Sequence, residues 1–348
     1  MADLAQQLPN QNPVPNPAQN PVSDALASLE ARLQELRATG PKIAVLLPCY
    51  NEEAAIGGTV AAFKDALPQA DIYVYDNNST DRTIEVALAA GAIVRREPYQ
   101  GKGNVVRRMF ADIDADVYVM ADGDMTYDPT AAPDLINRLV EGQLDMVVGA
   151  RVETAQAAYR RGHRFGNALF NAITTKLFHS HFTDIFSGYR VFSCRFVKSF
   201  PASSAGFEIE SELTVHALDL KLRTAEVPLP YGKRPENSVS KLNTYRDGLR
   251  ILWMLLGMYR MVKPLNYYGA VAAVLALCSL LVGAPVIETW LETGLVPRFP
   301  TAIMAAAIAQ LAALTLVCGV VVDAVSDTRR EIKRLRYLDL AAPSRKAK

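Results

Sequence analysis

Two carboxylates follow a short apolar run near the middle of the chain. Asp122 and Asp124 come directly after residues 117–121, which read Val-Tyr-Val-Met-Ala. This run predicts a buried strand, and residues two apart on an extended chain point to the same side. Two oxygen ligands so placed suit Mg²⁺ or Mn²⁺ bridging to substrate phosphates. Asp-Gly-Asp is also typical of turns and helix caps, so the tripeptide alone leaves both interpretations open.

The composition bounds the kind of protein. The chain has 348 residues, enough for one sizeable α/β domain and a smaller segment. Its 37 Lys and Arg nearly balance 36 Asp and Glu, which gives no reason to expect a nucleic-acid partner. The four cysteines lack metal-ligand spacing and predict reduced thiols rather than a disulfide framework.

Residues 42–150 alternate between apolar runs of strand length and helical stretches. This rhythm predicts an α/β fold with a mainly parallel, doubly wound sheet. Polar clusters follow the strands and would gather along one edge, where such sheets bind ligands. The strands are predicted at 43–47, 71–75, 92–94, 117–121 and 146–149.

Two segments near the C-terminus, 265–287 and 299–322, contain no charged residue. Each is long enough to cross a bilayer, which takes about 20 apolar residues. A short connector joins them, so a transmembrane hairpin is predicted; a buried helix pair in a soluble core is the alternative. Lys and Arg cluster before and after the hairpin, and the positive-inside rule then places the large domain and both termini in the cytoplasm. The prediction is an integral protein of the cell inner membrane.

Three motifs at predicted strand ends resemble a known family. They are Pro48-Cys49-Tyr50-Asn51-Glu52, Asp76-Asn77-Asn78-Ser79-Thr80-Asp81 and Asp122-Gly123-Asp124. In this order the chain resembles family 2 glycosyltransferases of the GT-A fold, which is Rossmann-like, and within them the polyprenyl- and dolichyl-phosphate sugar synthases. The resemblance covers about residues 42–245 and extends to the following amphipathic segment and hairpin. One departure is Asn77-Asn78, where many relatives have Asp-Gly.

The resemblance implies inverting transfer of a hexose from a UDP- or GDP-linked sugar to a polyprenyl phosphate. A phosphate acceptor is already ionised near neutral pH and needs no strong general base. The implied cofactor is Mg²⁺ or Mn²⁺. The implied partners are the two substrates and membrane lipids. Hairpin-anchored relatives often associate, so a homo-oligomer is one of the oligomeric states left open. Two alternatives stay open: a transferase that extends a glycan or modifies another lipid, and a non-catalytic membrane scaffold with a GT-A head.

By the same resemblance, candidate site residues fall into five groups. The metal ligands would be Asp122 and Asp124. The catalytic set would be Asp124, Arg151 and Arg160. The nucleotide would contact Pro48, Tyr50, Glu52, Asp76, Asn78, Lys102, Asp122 and Gly123. The sugar would contact Ser187, Gly188 and Glu208. The acceptor phosphate would contact Arg160, Arg161, Arg164, Arg234, Ser240 and Lys241.

Several of these residues have a structural alternative. Asp76 could cap the segment that starts near Ser79, and the glycines beside Lys102 could simply permit helix entry. The arginines could be solvated or could contact lipid headgroups.

The predicted organisation has six parts. Basic, aromatic, amphipathic segments suit a membrane interface, although a surface helix docked on the sheet is the alternative. The parts are a disordered arm at 1–22, an amphipathic helix at 23–40, a GT-A domain at 41–243 with an interfacial helix at 156–182, a second interfacial helix at 244–264, the hairpin at 265–323 and a basic cytoplasmic tail at 324–348.

Overall fold

A computed structural model describes residues 40–152, 182–206, 208–232, 256–257 and 259–343. The predicted arm at 1–22 lies outside the described residues. So do nearly all of the predicted helices at 23–40 and 156–182 and most of the segment at 244–264.

Seven strands form one sheet in the order β3-β2-β1-β4-β6-β5-β7. Every neighbouring pair is parallel except those of β6, which runs antiparallel to both β4 and β5. The predicted α/β class with a mainly parallel sheet is confirmed. The strands are β1 (Ile43–Cys49), β2 (Asp71–Asp76), β3 (Ile93–Arg96), β4 (Val117–Met120), β5 (Met146–Val152), β6 (Arg190–Ser193) and β7 (Thr224–Pro230).

Helices cover both faces of the sheet, as parallel strands with crossover helices require. On one face α1 buries Ile56, Val60 and Phe63. On the other face α3 buries Met109 and Phe110. The helices of the domain are α1 (Ile56–Ala66), α2 (Thr83–Ala89), α3 (Lys102–Asp112), α4 (Ala132–Glu141), α5 (Cys194–Ser199) and α6 (Ile209–Asp219).

Two long helices follow the sheet domain, α7 (Pro264–Thr293) and α8 (Phe299–Leu338). Both are long and apolar enough to cross a membrane, with mean hydropathies of 2.5 and 2.3 over their most apolar windows. They pack through small residues: the Ser279 hydroxyl donates to the Ala305 carbonyl at 2.8 Å, and Gly319 lies against Tyr268. Such close approach is typical of helix pairs in lipid. The predicted pair of apolar C-terminal helices is confirmed.

The C-terminal part of α8 packs on the sheet domain. Arg330 donates to Asp219 of α6 at 2.7 Å, and the Tyr337 hydroxyl donates to Asp145 at 3.0 Å. The guanidinium of Arg195 lies over the Tyr337 ring, 4.6 Å from its centroid. The helix therefore continues well past the last apolar residues into the stretch expected to be a basic tail, and its end lies on the same side as the sheet domain.

His216 of α6 makes the stability of this region sensitive to acid. The side chain is 1% exposed, its ring lies between Phe196 and Phe200, and Nε2 is 3.2 Å from the Ser199 hydroxyl. Burial, and then the charge of Lys333 on α8, lower the pKa of His216 to about 3. In the unfolded chain the imidazole has a pKa of about 6.5. Between that pH and the folded pKa, the unfolded chain therefore binds a proton that the folded protein does not.

We therefore expect the free energy of unfolding to fall as the pH drops from about 6.5 towards the folded pKa, with a loss of about 2 kcal/mol at pH 5 from this one group. The His216→Leu variant should lose this part of the pH dependence. Denaturant unfolding of both proteins in detergent at pH 7 and pH 5 would measure it. An equal loss on acidification in both proteins would contradict the assignment.

Candidate active site

The Asp-Gly-Asp motif lies where β4 ends, beside the carboxyl end of the neighbouring strand β1. Strand β4 stops at Met120, which pairs with Leu46 of β1. Gly123 then passes so close to β1 that a Cβ on it would lie 2.5 Å from the Cys49 sulfur. A larger residue at position 123 would push the loop away, so glycine keeps the two carboxylates close to the sheet edge.

Asp124 is held in one orientation by the loop that follows it. Its side chain is 2% exposed, and Oδ1 accepts hydrogen bonds from the Thr126 amide at 3.2 Å and the Thr126 hydroxyl at 2.5 Å. The intervening Met125 has a left-handed backbone, with φ of 58°. A non-glycine residue in that conformation is uncommon and costs free energy, so the surrounding contacts must fix this turn.

Lys102 joins the motif to helix α6. Its ammonium lies 2.5 Å from Asp122 Oδ1 and 2.5 Å from Glu210 Oε1. The lysine side chain is 9% exposed, the Glu210 side chain 7% and the Asp122 side chain 31%. Burial alone would lower the pKa of Lys102, but the charges of Asp122 and Glu210 outweigh it and raise that pKa well above its ordinary value. A permanent cation therefore lies at the base of the site.

The glycines on either side of Lys102 are required by close backbone packing. A Cβ on Gly101 would lie 2.2 Å from the Ala205 carbonyl oxygen, and one on Gly103 would lie 2.1 Å from that of Ser204. Gly101 also has φ of 131°, a conformation that favours glycine. The Gly103 amide donates to the Ala205 carbonyl at 3.0 Å. These glycines do open helix α3, and the same packing fixes the turn that presents Lys102.

Gly188 also lies against the Asp122 carboxylate. Its amide donates to the Tyr127 hydroxyl at 2.9 Å, and a Cβ on it would lie 2.8 Å from Asp122 Oδ2. The predicted sugar residue Gly188 is thus in contact with the predicted metal ligand.

We expect Gly188→Ala to lower turnover by about ten- to hundredfold, because displacing a reacting or binding group by about 1 Å can cost that much. Stability should change far less, since the added methyl group meets a partly exposed carboxylate. Steady-state kinetics together with thermal unfolding would separate the two effects. The control is Gly40→Ala, whose Cβ would meet nothing within 4 Å. Equal turnover in both variants would contradict the proposed close fit at Asp122.

The side chains of the motif at the end of β2 hold that loop in place through hydrogen bonds within the motif and to residues 97–101. Both oxygens of Asp76, which is 2% exposed, accept from the Ser79 amide at 3.3 Å. The Asn77 amide group donates to the carbonyls of Glu97 and Tyr99, and its oxygen accepts from the Gly101 amide at 2.7 Å. Asn77 therefore connects this loop to the turn that carries Lys102. In this structure Asp76 supports the loop, which is close to the capping alternative, although α2 itself begins only at Thr83.

Asn78, the second half of the Asn77-Asn78 departure, also contacts the protein backbone. Its amide group donates to the Pro98 carbonyl at 2.8 Å, and its backbone is left-handed, with φ of 66°. Asparagine tolerates that conformation better than most residues do. A nucleotide contact of Asn78 stays a prediction.

Arg151 forms a bidentate ion pair with Asp184. Its Nε and Nη2 lie 2.7 Å and 2.8 Å from the two carboxylate oxygens, and its guanidinium lies 5.4 Å from the centroid of the Tyr231 ring. Burial would raise the pKa of Asp184, but the hydrogen bonds and charge of Arg151 lower it. The pair links the end of β5 to the chain just before β6. The catalytic role of Arg151 stays a prediction.

The other candidates divide into buried, accessible and undescribed residues. Ser187 is fully buried, and its hydroxyl donates to the Gly149 carbonyl at 2.6 Å. Glu208 precedes α6, with its carboxylate beside Gly206. Pro48, Tyr50 and Glu52 lie in and after the end of β1, and the Glu52 amide donates to the Thr83 hydroxyl at 2.8 Å. The acceptor-phosphate candidates lie outside the described residues; they are Arg160, Arg161, Arg164, Arg234, Ser240 and Lys241.

Sequence reasoning missed three residues that shape this site. Glu210 and Asp184 belong to none of the predicted groups of site residues, and Asn77 stands out in the sequence only as a departure from the family pattern. Each acts through a partner at least 20 positions away in the chain, so local spacing carries no signal for it. The one available cue was the apolar surroundings of Asp184, between Phe182 and Ile185, where a charged residue needs a partner.

The residues present fit a divalent cation that a diphosphate also binds. Asp122 and Asp124 offer hard oxygen ligands, and the Asp122 side chain is accessible to a cation, since it is 31% exposed. Among the described residues no group of three or more acidic, His or Cys side chains could enclose a metal. Mg²⁺ commonly takes one or two carboxylates and completes its shell with substrate phosphates and water. Asp122 and Asp124 would supply that protein share.

The sheet order, the strand-end carboxylates and the turn at Lys102 define a GT-A glycosyltransferase. Comparison with known structures supports this class: glucosyl-3-phosphoglycerate synthase from Mycobacterium tuberculosis, in complex with Mn²⁺, UDP-glucose and phosphoglyceric acid, is similar with a TM-score of 0.52 and 25% identity over 65% of this chain and 83% of that one.

The comparisons with known sequences give the family. Glycosyltransferase AglJ of Haloferax volcanii is 33% identical over 307 residues, and the match covers 86% of this chain and 99% of the relative. A dolichyl-phosphate hexose transferase of the same organism is 29% identical over 60% of this chain and 90% of its own length. The model described as Glycosyl transferase family 2 matches residues 44–200. The chain belongs to glycosyltransferase family 2.

Proposed function

We propose that the enzyme transfers one hexose, with inversion, from a UDP- or GDP-linked sugar to a polyprenyl phosphate at the cytoplasmic face of the membrane. The observation that carries the proposal is the placement of the Asp122–Asp124 pair in the same compact unit as two helices long enough to span a bilayer. A donor site on such a domain is suited to an acceptor that stays in the membrane. The relative named as a dolichyl-phosphate hexose transferase supports this class of acceptor.

The donor would lie along the carboxyl edge of the sheet. Pro48, Tyr50, Glu52 and Asp76 would line the nucleoside side, and Asp122, Asp124 and Lys102 the diphosphate side. A bound Mg²⁺ or Mn²⁺ would neutralise charge on the departing diphosphate. Lys102 would add a fixed positive charge there, since its partners keep it protonated. Gly188 and Glu208 are the proposed sugar contacts. Ser187 would hold the backbone next to Gly188 in place through its hydrogen bond to the Gly149 carbonyl.

The acceptor needs no general base in this reaction. A phosphate oxygen of the polyprenyl phosphate forms a bond to the anomeric carbon, the bond from that carbon to the diphosphate breaks, and its electron pair leaves with the nucleoside diphosphate. Cationic side chains must hold the acceptor phosphate against the negative donor. The proposed cations are Arg160, Arg161, Arg164, Arg234 and Lys241, and the Ser240 hydroxyl would donate a hydrogen bond to the same phosphate.

The proposed orientation places the sheet domain in the cytoplasm. The Leu265 amide lies 3.4 Å from Asp323, so the start of α7 and the middle of α8 meet on the side of the sheet domain. The basic residues before α7 and in the last turns of α8 then share that side, which the positive-inside rule assigns to the cytoplasm.

A donor panel tests the proposed function. Full-length protein in detergent, with Mg²⁺ and undecaprenyl phosphate, is given UDP-glucose, UDP-N-acetylglucosamine or GDP-mannose, and released nucleotide is measured. We expect release from one donor and dependence on the lipid phosphate. Release from none of them would contradict the proposal, and release that ignores the lipid phosphate would point to another acceptor.

A further inference from the structure

Glu210 shares a cation with a predicted metal ligand but belongs to none of the predicted groups of site residues. Because Asp122 Oδ1 and Glu210 Oε1 each lie 2.5 Å from the Lys102 nitrogen, the two oxygens are no more than 5 Å apart. Glu210 is therefore part of the donor site, although it sits on α6, far from the Asp-Gly-Asp motif in the chain.

The two carboxylates differ in how firmly they are placed. Glu210 is 5% exposed, and its Oε2 is buried without a hydrogen-bond partner among the described residues. A buried carboxylate in that state depends strongly on its remaining charged partner, which is Lys102. Asp122 is more open and adjoins Asp124. The lysine is thus bound to a buried carboxylate on one side and to an accessible one on the other.

Helix α6 cannot easily move Glu210 away. Arg190 is fully buried, and its guanidinium donates to the Thr214 hydroxyl at 2.9 Å and to the carbonyls of Ser187 and Ile185. The Thr214 hydroxyl in turn bonds the Glu210 carbonyl at 3.2 Å. Arg190 therefore fixes the first turns of α6 relative to the loop that carries Gly188.

This arrangement has a consequence for cation binding. If Lys102 were bound to Asp122 alone, its ammonium would compete with a divalent cation for that carboxylate. Glu210 draws the ammonium towards α6 and adds a negative charge within 5 Å of Asp122. Both effects favour a divalent cation at Asp122, since opposite charges attract and like charges repel over such distances.

We propose that Glu210 is a positioning residue of the donor site: it holds the ammonium of Lys102 so that Asp122 can bind a divalent cation together with the diphosphate of the donor. The inference rests on the proposed function, because it assumes a nucleoside diphosphate at this edge of the sheet. It adds a role for a residue that does not itself touch the metal.

The test measures Mn²⁺ binding rather than activity. Full-length wild type and Glu210→Gln are titrated with Mn²⁺ in the presence of UDP, and separately of GDP, and free Mn²⁺ is followed by electron paramagnetic resonance. We expect Glu210→Gln to raise the dissociation constant for Mn²⁺ by about ten- to hundredfold, the usual effect of losing an outer-shell partner. The control is Glu85→Gln, which removes a carboxylate from an exposed ion pair with Arg82 and should leave the constant unchanged.

A second pair of variants separates this role from a merely structural one. If Glu210 acts through Lys102, the change caused by Glu210→Gln should be several-fold smaller in a Lys102→Met background than in wild type, as a double-mutant cycle measures. Wild-type affinity in Glu210→Gln, or an equal change in both backgrounds, would overturn the inference and leave the proposed function intact. Failure of the wild type to bind Mn²⁺ with either nucleotide would instead overturn the proposed function.

Discussion

Substituting Asp124 by Asn should lower turnover by about a hundredfold or more, the order of effect seen when one group that stabilises developing charge is removed. Asp124 is 2% exposed and is fixed by the amide and hydroxyl of Thr126. Asparagine keeps the shape and one acceptor oxygen but removes the charge that a divalent cation needs. The measurement is the rate of nucleotide release at increasing Mg²⁺ or Mn²⁺.

The chain offers a closely matched control four residues away. Asp128 accepts from the amide and hydroxyl of Thr130 at 2.9 Å and 2.7 Å, the same local pattern that Asp124 makes with Thr126. Asp128 caps a short 3₁₀ helix, Pro129–Ala131, and has no proposed role in the site. Asp128→Asn should keep turnover within a few-fold of wild type. Equal turnover in the two variants at saturating metal would mean that Asp124 is only a turn carboxylate.

Asp145 should have the largest effect on stability. It is fully buried, and its oxygens bond Arg195 at 2.5 Å, the Ser193 hydroxyl at 3.0 Å and the Tyr337 hydroxyl at 3.0 Å. Removing one partner of a buried ion pair leaves an uncompensated charge, so Asp145→Ala should lower the free energy of unfolding by about 3–5 kcal/mol. Denaturant unfolding in detergent would measure the loss.

The comparison variant is Tyr337→Phe, which removes one hydrogen bond to Asp145 and keeps the ring beneath Arg195. Its loss should be about 1.5–3 kcal/mol, the contribution of a hydrogen bond to a charged group. A loss of the same size in both variants would show that the ion pair contributes nothing beyond that hydrogen bond. Asp145 precedes the start of β5, whereas the candidate site lies at the carboxyl ends of the parallel strands, so nucleotide binding at permissive temperature should be unchanged in the folded fraction of either variant.

These contacts change how the membrane helices should be studied. Because the end of α8 packs on α5 and α6 through Arg330 and Tyr337, deleting everything after residue 264 would expose buried surface of the sheet domain. Loss of activity in such a truncation would mix instability with loss of the lipid site.

Much of the fold was predictable because its signals are local. Each parallel unit has a short apolar run, a polar cluster and a helix. The two long apolar helices are recognisable from the length and composition of the uncharged segments 265–287 and 299–322. Strand β6 gave no such signal: Arg190–Ser193 is four residues long, all buried, and begins with an arginine whose pattern suggests solvent. Its guanidinium is satisfied inside the protein by the nearby carbonyls of Ser187 and Ile185 and by the distant Thr214 hydroxyl. Burial lowers the pKa of Arg190 to about 10, and the charges of Glu210 and Asp184 limit that fall.

The candidate site was predictable to the same extent. The position of Asp122 and Asp124 at a strand end follows from the apolar run before them. The partners of the site do not: the pairs Lys102–Glu210 and Arg151–Asp184 join residues 108 and 33 positions apart, as their numbers in the chain show. The full length of α8 could not be predicted either. The change from apolar to basic residues after Val322 indicates the end of a membrane span, but the helix itself continues to Leu338.

The most direct test of the central claim follows the sugar itself. Wild type and Asp124→Asn are incubated with Mg²⁺, undecaprenyl phosphate and the tritiated form of whichever donor releases nucleotide, and the products are extracted and analysed by mass. We predict that wild type places the label on the phosphate of the added lipid, in a product that mild acid cleaves, and that Asp124→Asn forms almost none of it. Label on a hydroxyl-bearing lipid or a glycan, with the lipid phosphate left unmodified, would contradict a phosphate acceptor.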